Sequence, residues 1–374
     1  MLLAFCAACG SAHGAEGVLT VQDTDISAFQ DQPTATILSS GVIWAPEDIY
    51  IGWPTIVKTR DNELIVAFSG DRDAHVCPWG KTQIVRSRDL GKTWTEPATI
   101  NNTPLDDRDA GIIETHKGTL IVSWFTSLAF QDNEKYRRHR EKITDEIIGQ
   151  WLGSWIRRSE DGGQTWGDFI RVETSAPHGP IALNDGRLLY VGCTGAKTAA
   201  ERVGVLESRD DGRTWTRLSS IETAPDDDPT QYFEPHVVEQ ADGSLLAMSR
   251  YHGTGESRYF LRQASSADGG TTWTPFERTP IWGYPPHLIA LDNGWTLVVY
   301  GRRREPFGER ACISKDGGKT WDLEHEIVLS QAPTGDLGYP ASVQLDDGSI
   351  FTIYYEVEEA GKKPPLKYTH WRLK

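Results

Sequence analysis

An eight-residue pattern, Ser-x-Asp-x-Gly-x-Thr-Trp, occurs five times along the 374-residue chain, at residues 87–94, 159–166, 208–215, 266–273 and 314–321. In each copy the Asp and the Ser or Thr can bond nearby backbone N–H groups, the Gly accepts positive φ, and the Trp can pack back onto the strands beside it. One copy would be a weak turn signal. Five copies describe a self-capped hairpin turn used as a building unit, and its residues are structural, with no catalytic role.

A second repeat defines the unit to which the turn belongs. Residues 53–66, 109–122, 177–190, 234–247, 285–298 and 339–352 each read as a short apolar strand, a turn and a second apolar strand. Their turns fall at Asn62, Gly118, Gly186, Gly243, Gly294 and Gly348. Strands and turns at this interval predict an all-β chain in which each sheet is one blade of a propeller. Six inner strands predict a six-bladed β-propeller spanning residues 17–374 as a single domain. The sixth blade lacks a box, and its outer strand is expected from residues 17–21 or 36–43. Residues 128–150 break the period, and the charged run 134–142 predicts an exposed helix or loop inserted in the second blade, a solvated face by its charge.

Composition excludes several functions. A net charge of −15 leaves no basic footprint for nucleic acid. It would repel an anionic substrate at long range, yet screening over roughly 8 Å lets a local arginine cluster dominate. No run of about 18 apolar residues follows the first dozen positions, so no membrane span is expected. Residues 1–16 resemble the end of a secretory signal without its positive n-region, which predicts a secreted or periplasmic protein. A lipoprotein reading at Cys9 has Cys6, three residues before it, against it. Cys77, Cys193 and Cys312 are too few and too scattered for a disulfide framework or a cysteine zinc site, and read as buried free thiols. No metal and no cofactor are expected.

In a propeller the inner strands line a shared axial cavity. Nine residues before the turns stand Trp53, Asp109, Pro177, Glu234, Pro285 and Tyr339, with Arg108, His178, His236, Tyr284 and His287 within two places of them. Two carboxylates and a tyrosine at equivalent positions make a convergent polar set, although each could equally be a hydrogen-bonded wall residue. The three histidines could ligate a metal or abstract a proton, because neutral imidazole does both.

These motifs resemble the sialidase superfamily over nearly the whole chain. The repeated turn is similar to that family's Asp box. Residues 234–250 resemble its glutamate strand, and residues 339–356 its nucleophile strand. The resemblance implies that Tyr339 attacks the anomeric carbon, that Glu234 takes its proton, and that Arg250 pairs with a substrate carboxylate. A further arginine is expected from the fifth blade, Arg310 by its position before the following box, with Arg302 next. The expected activity is exo-acting, retaining release of a terminal sialic acid or related acidic sugar from a glycan.

Two departures matter. The family's first inner strand begins Arg-Ile-Pro, whereas this chain reads Gly52-Trp53-Pro54. Arg72 or Arg108 would have to compensate, or Trp53 would serve as a stacking platform for another sugar. The general acid is expected in the loop 69–80, as Asp73, with His75 as the second choice, unless Arg72 merely pairs with Asp71 or Asp73. Alternatives are a propeller glycosidase for a uronic or deoxy sugar, a polysaccharide lyase using His and Tyr, and a non-catalytic glycan-binding propeller.

Overall fold

The computed structural model describes residues 17–374, which close six antiparallel sheets into a ring. From the axis outward, the first blade contains Tyr50–Lys58, Leu64–Arg72, Lys81–Ser87 and Ala98–Asn101. The second contains Asp106–Glu114, Leu120–Ser127, Ser154–Ser159 and Ile170–Val172. The third, fourth and fifth follow the same plan from inner strands Ile181–Ala182, Tyr232–Glu239 and Pro286–Ala290. The sixth takes Leu337–Gln344, Ile350–Glu356 and Leu366–Leu373 from the end of the chain and Ala35–Trp44 from its beginning. Of the two stretches expected to close the ring, the second does so. Val18–Thr20 pairs instead with Thr93–Thr95 of the first blade, and Gln22–Asp23 adds a short strand outside Ala35–Trp44. The signal-like segment, with Cys6 and Cys9, lies outside the described residues.

Strand alternation builds the core. Side chains along a strand point to opposite faces, so each blade feeds two interfaces. In the first blade Val66 and Phe68 pack toward the sixth, against Phe351 and Ile353, while Ile65 and Ala67 pack toward the second, against Ile112 and Val122. One such apolar cluster fills each of the six junctions between neighbouring blades. This explains the near-continuous apolar runs of the second strands, which are buried on both faces.

The repeated turn has the geometry its residues imply. Ser87 Oγ donates to Asp89 Oδ1 (2.8 Å), Thr93 N donates to the same oxygen (2.9 Å), and Thr93 Oγ donates to Oδ2 (2.6 Å). Trp94 Nε1 donates to Gly91 O (3.1 Å), which folds the indole into the junction with the sixth blade. Cys77 and Cys312 are buried free thiols as expected, whereas Cys193 is only half-buried.

The insertion departs from a purely solvated face. It forms short helices at Arg137–Arg140 and Asp145–Trp151, and Arg137 and Arg138 are exposed. Tyr136, however, is buried against Cys77 and Phe130, clamping the insertion onto the first blade's loop. A tyrosine inside a charged run buries its ring and leaves the charges in water.

Candidate active site

On one face of the ring four inner strands are notched. Trp53, Asp109, Glu234 and Tyr339 adopt left-handed backbone with φ of 55°, 54°, 54° and 55°. Pairing with the second strand skips at each of these places. Such bulges re-aim a side chain, and left-handed backbone at a non-glycine residue is strain that surrounding structure must hold. The two remaining aligned residues are Pro177 and Pro285, whose rings forbid that φ. The four notched side chains form the floor of a site on the axis.

Three of the expected residues are linked directly. The Tyr339 hydroxyl donates to Glu234 Oε1, and Arg250 reaches both oxygens of Glu234 through one nitrogen (3.1 and 2.9 Å). Tyr339 is 5% exposed, and burial, then the carboxylates of Glu234 and Asp109, hold its phenol well above the usual range near 10. It therefore stays protonated until a base takes the proton, and Glu234 is already in contact. Arg250 lies over the Tyr284 ring at 4.2 Å.

The arginines divide into spent and unspent. Arg72 is buried, pairs bidentately with Asp106 (2.6 and 2.9 Å) and also donates to His75 O (3.0 Å), so it braces the loop and is not free for a ligand. Arg108 is 3.8 Å from Asp106 and lies 4.1 Å over Trp53. Trp53 itself is fully buried among Arg72, Arg108, His75 and Tyr339, so it has no face to offer as a sugar platform. From the fifth blade it is Arg303 that reaches the floor, over Tyr284 and Tyr339 and in contact with the Tyr355 hydroxyl (3.2 Å). Arg310 is occupied by the backbone oxygens of Glu309, Ser330 and Pro306, and Arg302 faces Glu326. Nε is buried without a partner in Arg108, Arg250 and Arg303, as it is in Arg72 and Arg302, so the division rests on the terminal nitrogens, which are engaged by Asp106 in Arg72 and face Glu326 in Arg302.

Asp109 is 7% exposed with Oδ1 unpartnered. Burial, opposed by Arg108 and reinforced by Glu234, pushes its carboxyl up to about 7. A cavity of about 330 Å³ opens beside Asp109 and Glu234, with Phe125, Phe233, Cys193 and Arg202 among its lining.

The two residues proposed for the acid occupy different settings. Asp73 accepts from Tyr136 Oη (2.7 Å) and pairs with Lys135 (2.7 Å), both from the insertion. Burial works upward on its carboxyl, but Lys135 and Tyr136 outweigh it and hold it below its usual value, which disfavours it as a proton donor. His75 lies edge-on to Trp53 at 5.1 Å, and its Nδ1 is 3.0 Å from Tyr50 Oη. His75 is exposed as a residue, and the desolvation of its inner side, then Arg108, Arg303, Arg72 and Arg250, lower the imidazole from the ordinary histidine range.

His178, His236 and His287 cluster beneath the floor with ring centroids 4.5–5.6 Å apart, His236 stacked on His287 and His178 edge-on to both. Burial lowers all three from the ordinary histidine range. His236 Nδ1 accepts from Leu288 N (3.0 Å) and His178 Nδ1 contacts Thr55 (3.1 Å), so these rings plug the channel rather than converge on a ligand. His252, half-buried, contacts Tyr259 Oη (2.7 Å), whose ring lies 4.5 Å from that of Tyr284. Arg303, Tyr50, Tyr355 and Asp336 were not singled out from sequence. Arg303 lies just past the second strand of its blade, nine residues after the Gly294 turn, whereas Arg250 stands seven after Gly243, so counting from the preceding turn does not single it out.

Comparison with known proteins agrees with this architecture. The profile of the BNR repeat-like domain matches residues 142–352. The chain is 26% identical to a sialidase of Bacteroides fragilis, over 53% of this chain and 38% of that protein. It is 24% identical to a sialidase of Clostridium perfringens, over 51% of this chain and 52% of that protein. The chain thus spans about half or less of these relatives. Among solved structures, a Dyadobacter fermentans protein of unknown function superposes with a TM-score of 0.75 at 25% identity, covering 91% of this chain and 100% of that one. The NanB sialidase of Streptococcus pneumoniae gives 0.65 at 14% identity, over 92% and 70%. An α-L-arabinofuranosidase of Fusarium graminearum gives 0.63 at 14%, over 89% and 97%. With the matched profile covering more than half of the chain, this protein belongs to the BNR repeat-like domain family, as a sialidase-like six-bladed propeller.

Proposed function

We propose that this protein is an exo-acting, retaining glycoside hydrolase for a terminal sugar bearing an anionic group, a sialic acid or a related acidic sugar. The observation that carries the reading is the contact chain from Tyr339 through Glu234 to Arg250 on the notched floor. Glu234 takes the phenolic proton as the Tyr339 oxygen bonds to the anomeric carbon, so no free phenolate need form in a buried site. A neutral nucleophile also avoids setting a carboxylate against the substrate's own anion. Arg250 and Arg303, with Arg108 in place of the arginine that Trp53 displaces, receive that anion through N–H groups that lack other partners. The relatives named as sialidases support this reading.

A second reading, a glycosidase for a neutral sugar, is favoured by one observation: Trp53 stands where the first clamp is expected. Chromogenic sialosides, uronides, deoxy-hexosides and arabinosides, assayed with wild type and Tyr339→Phe, separate the two. The expected outcome is turnover of an acidic glycoside, reduced at least about 1,000-fold in the variant. An unimpaired variant would remove Tyr339 as nucleophile. Turnover of arabinosides alone would select the neutral-sugar reading, an ultraviolet-absorbing unsaturated product a lyase, and tight glycan binding without turnover a binding propeller.

A further inference from the structure

The imidazole of His75 is held in one tautomer by a chain of hydrogen bonds. Tyr50 Oη has a single hydrogen, donated to Asp336 Oδ1 at 2.8 Å. Its oxygen can therefore only accept from His75 Nδ1, 3.0 Å away, so Nδ1 carries the proton and Nε2 keeps a free lone pair. An aspartate at the end of such a relay orients an imidazole and stabilises its charged form.

His75 also stands on the wall of the site rather than its floor. Tyr50 pairs with Arg72 at the end of the first blade where the inner strand begins, so the loop that follows Arg72 rises on the same face as the notches. The nucleophile, its base and Asp109 all occupy the floor. In a retaining displacement the leaving oxygen departs on the side away from the nucleophile, and its proton donor has to come from above.

The charges around His75 are named by element. Tyr50 and Trp53 face it from the inner strand of the first blade, and Arg72 from the second. Arg108 of the second blade lies over the same Trp53 ring that His75 meets edge-on, and the charges of Arg250 from the fourth blade and Arg303 from the fifth act on the imidazole through space. Asp336, just before the inner strand of the sixth blade, is reached through Tyr50. Desolvation first, then these four guanidinium groups, hold the imidazole below its ordinary value, and three of the four are the groups assigned to the substrate's anion.

We infer that His75 protonates the leaving oxygen, and that it acquires its proton only when the substrate's anionic group neutralises the arginines around it. This rests on the reading of the site as an acidic-sugar glycosidase. Nε2 takes a proton from water as substrate binds. It passes that proton to the glycosidic oxygen as the carbon–oxygen bond breaks and the bond from Tyr339 forms, while Glu234 receives the phenolic proton. In the second half Nε2 takes a proton from the attacking water, whose oxygen displaces Tyr339, and Glu234 returns the proton to the phenol. The substrate's own charge thus switches on the acid, which excludes neutral sugars at the chemical step as well as in binding.

The test pairs two glycosides of the acidic sugar turned over in the chromogenic screen, one with a 4-nitrophenyl and one with a methyl leaving group. For His75→Gln the expected kcat/KM falls about 100-fold on the methyl glycoside and less than about tenfold on the 4-nitrophenyl glycoside, which needs no acid. Tyr50→Phe is expected to move the basic limb of the kcat profile to lower pH, because it cuts the relay without removing the imidazole. An uncharged amide of the 4-nitrophenyl substrate's anionic group is expected to be turned over equally by wild type and His75→Gln, with no basic limb. Equal losses on both leaving groups, no loss on either, or leaving-group selectivity found in Asp109→Asn instead would overturn the assignment. A basic limb retained with the amide would overturn the charge switch. Loss of both activities in Tyr339→Phe is independent of all these outcomes and tests the underlying reading alone.

Discussion

Asp109 holds left-handed backbone, is 7% exposed and leaves one carboxylate oxygen without a partner. Its carboxyl is raised from 3.8 to about 7, chiefly by burial. Between these values the folded chain keeps a proton that the unfolded chain releases, so stability falls as pH rises through that window. The difference corresponds to on the order of 4 kcal/mol at its upper bound. Asp109→Asn removes the titration, and Asn tolerates left-handed φ well. The variant is therefore expected to melt above wild type at pH 8, with the gap closing toward pH 4–5. A constant gap across pH would show that Asp109 titrates normally. A group this costly is kept for what binds against it, since buried polar groups without partners cluster where ligands complete them.

The same scale explains what was legible beforehand. Glu234, Arg250 and Tyr339 lie on strands, where a turn at a known residue fixes the register and so the facing of each side chain. Asp73, His75 and Arg303 lie on or beside loops, where spacing has no period. Nothing in the run of residues 134–142 says that Tyr136 and Lys135 reach back to occupy Asp73. Nor could the three consecutive arginines at residues 302–304 and Arg310 be sorted without knowing that Glu326 and backbone oxygens absorb Arg302 and Arg310.

At the scale of the element, the repeated turn was legible in full because its hydrogen bonds are local. Its energetic weight is not uniform, however. Asp89 is half-buried and its Trp94 is 1% exposed in the junction with the sixth blade. Asp161 makes the same bonds in the second blade, but is exposed, and its Trp166 is half-exposed. Water replaces a lost bond at an exposed site, whereas a half-buried donor is left unsatisfied. Asp89→Ala is expected to cost about 2 kcal/mol in denaturant unfolding, and Asp161→Ala less than half of that. Equal costs would mean that the turn's stability resides in the loop alone and owes nothing to the indole it seats. The notches obey a different rule from the turns. They are non-local, each held by the neighbouring strand's skipped pairing, so the sequence showed which residues occupy them but not that all four would share one strained conformation.

At the scale of the whole molecule, closure decides whether six blades make one cooperative body. Five blades are contiguous in sequence, and the sixth is stitched from both ends by the pairing of Ala35–Trp44 with Leu366–Leu373. That strand buries Ala35, Ile37 and Ile43 almost completely, and Ile37 enters the same cluster as Trp371 and Leu297 of the fifth blade. Burying each large aliphatic side chain contributes about 1.5–3 kcal/mol, and strand pairing adds to it, so removing the strand takes away much of a stability of ordinarily about 5–15 kcal/mol. It would also leave Leu366–Leu373 as a long unpaired edge open to other chains. Deleting residues 17–44 is therefore expected to give aggregated protein without a single cooperative melting transition. Deleting residues 17–21 alone, which removes the three-residue pairing to Thr93–Thr95 and the partly buried Leu19 and Val21, is expected to shift the melting temperature by a few degrees and leave a monodisperse species. Size-exclusion chromatography with thermal denaturation distinguishes the two. If the longer deletion still melts cooperatively as a monomer, the ring does not depend on its stitched blade, and the axial site would have to be held together by the five contiguous blades alone.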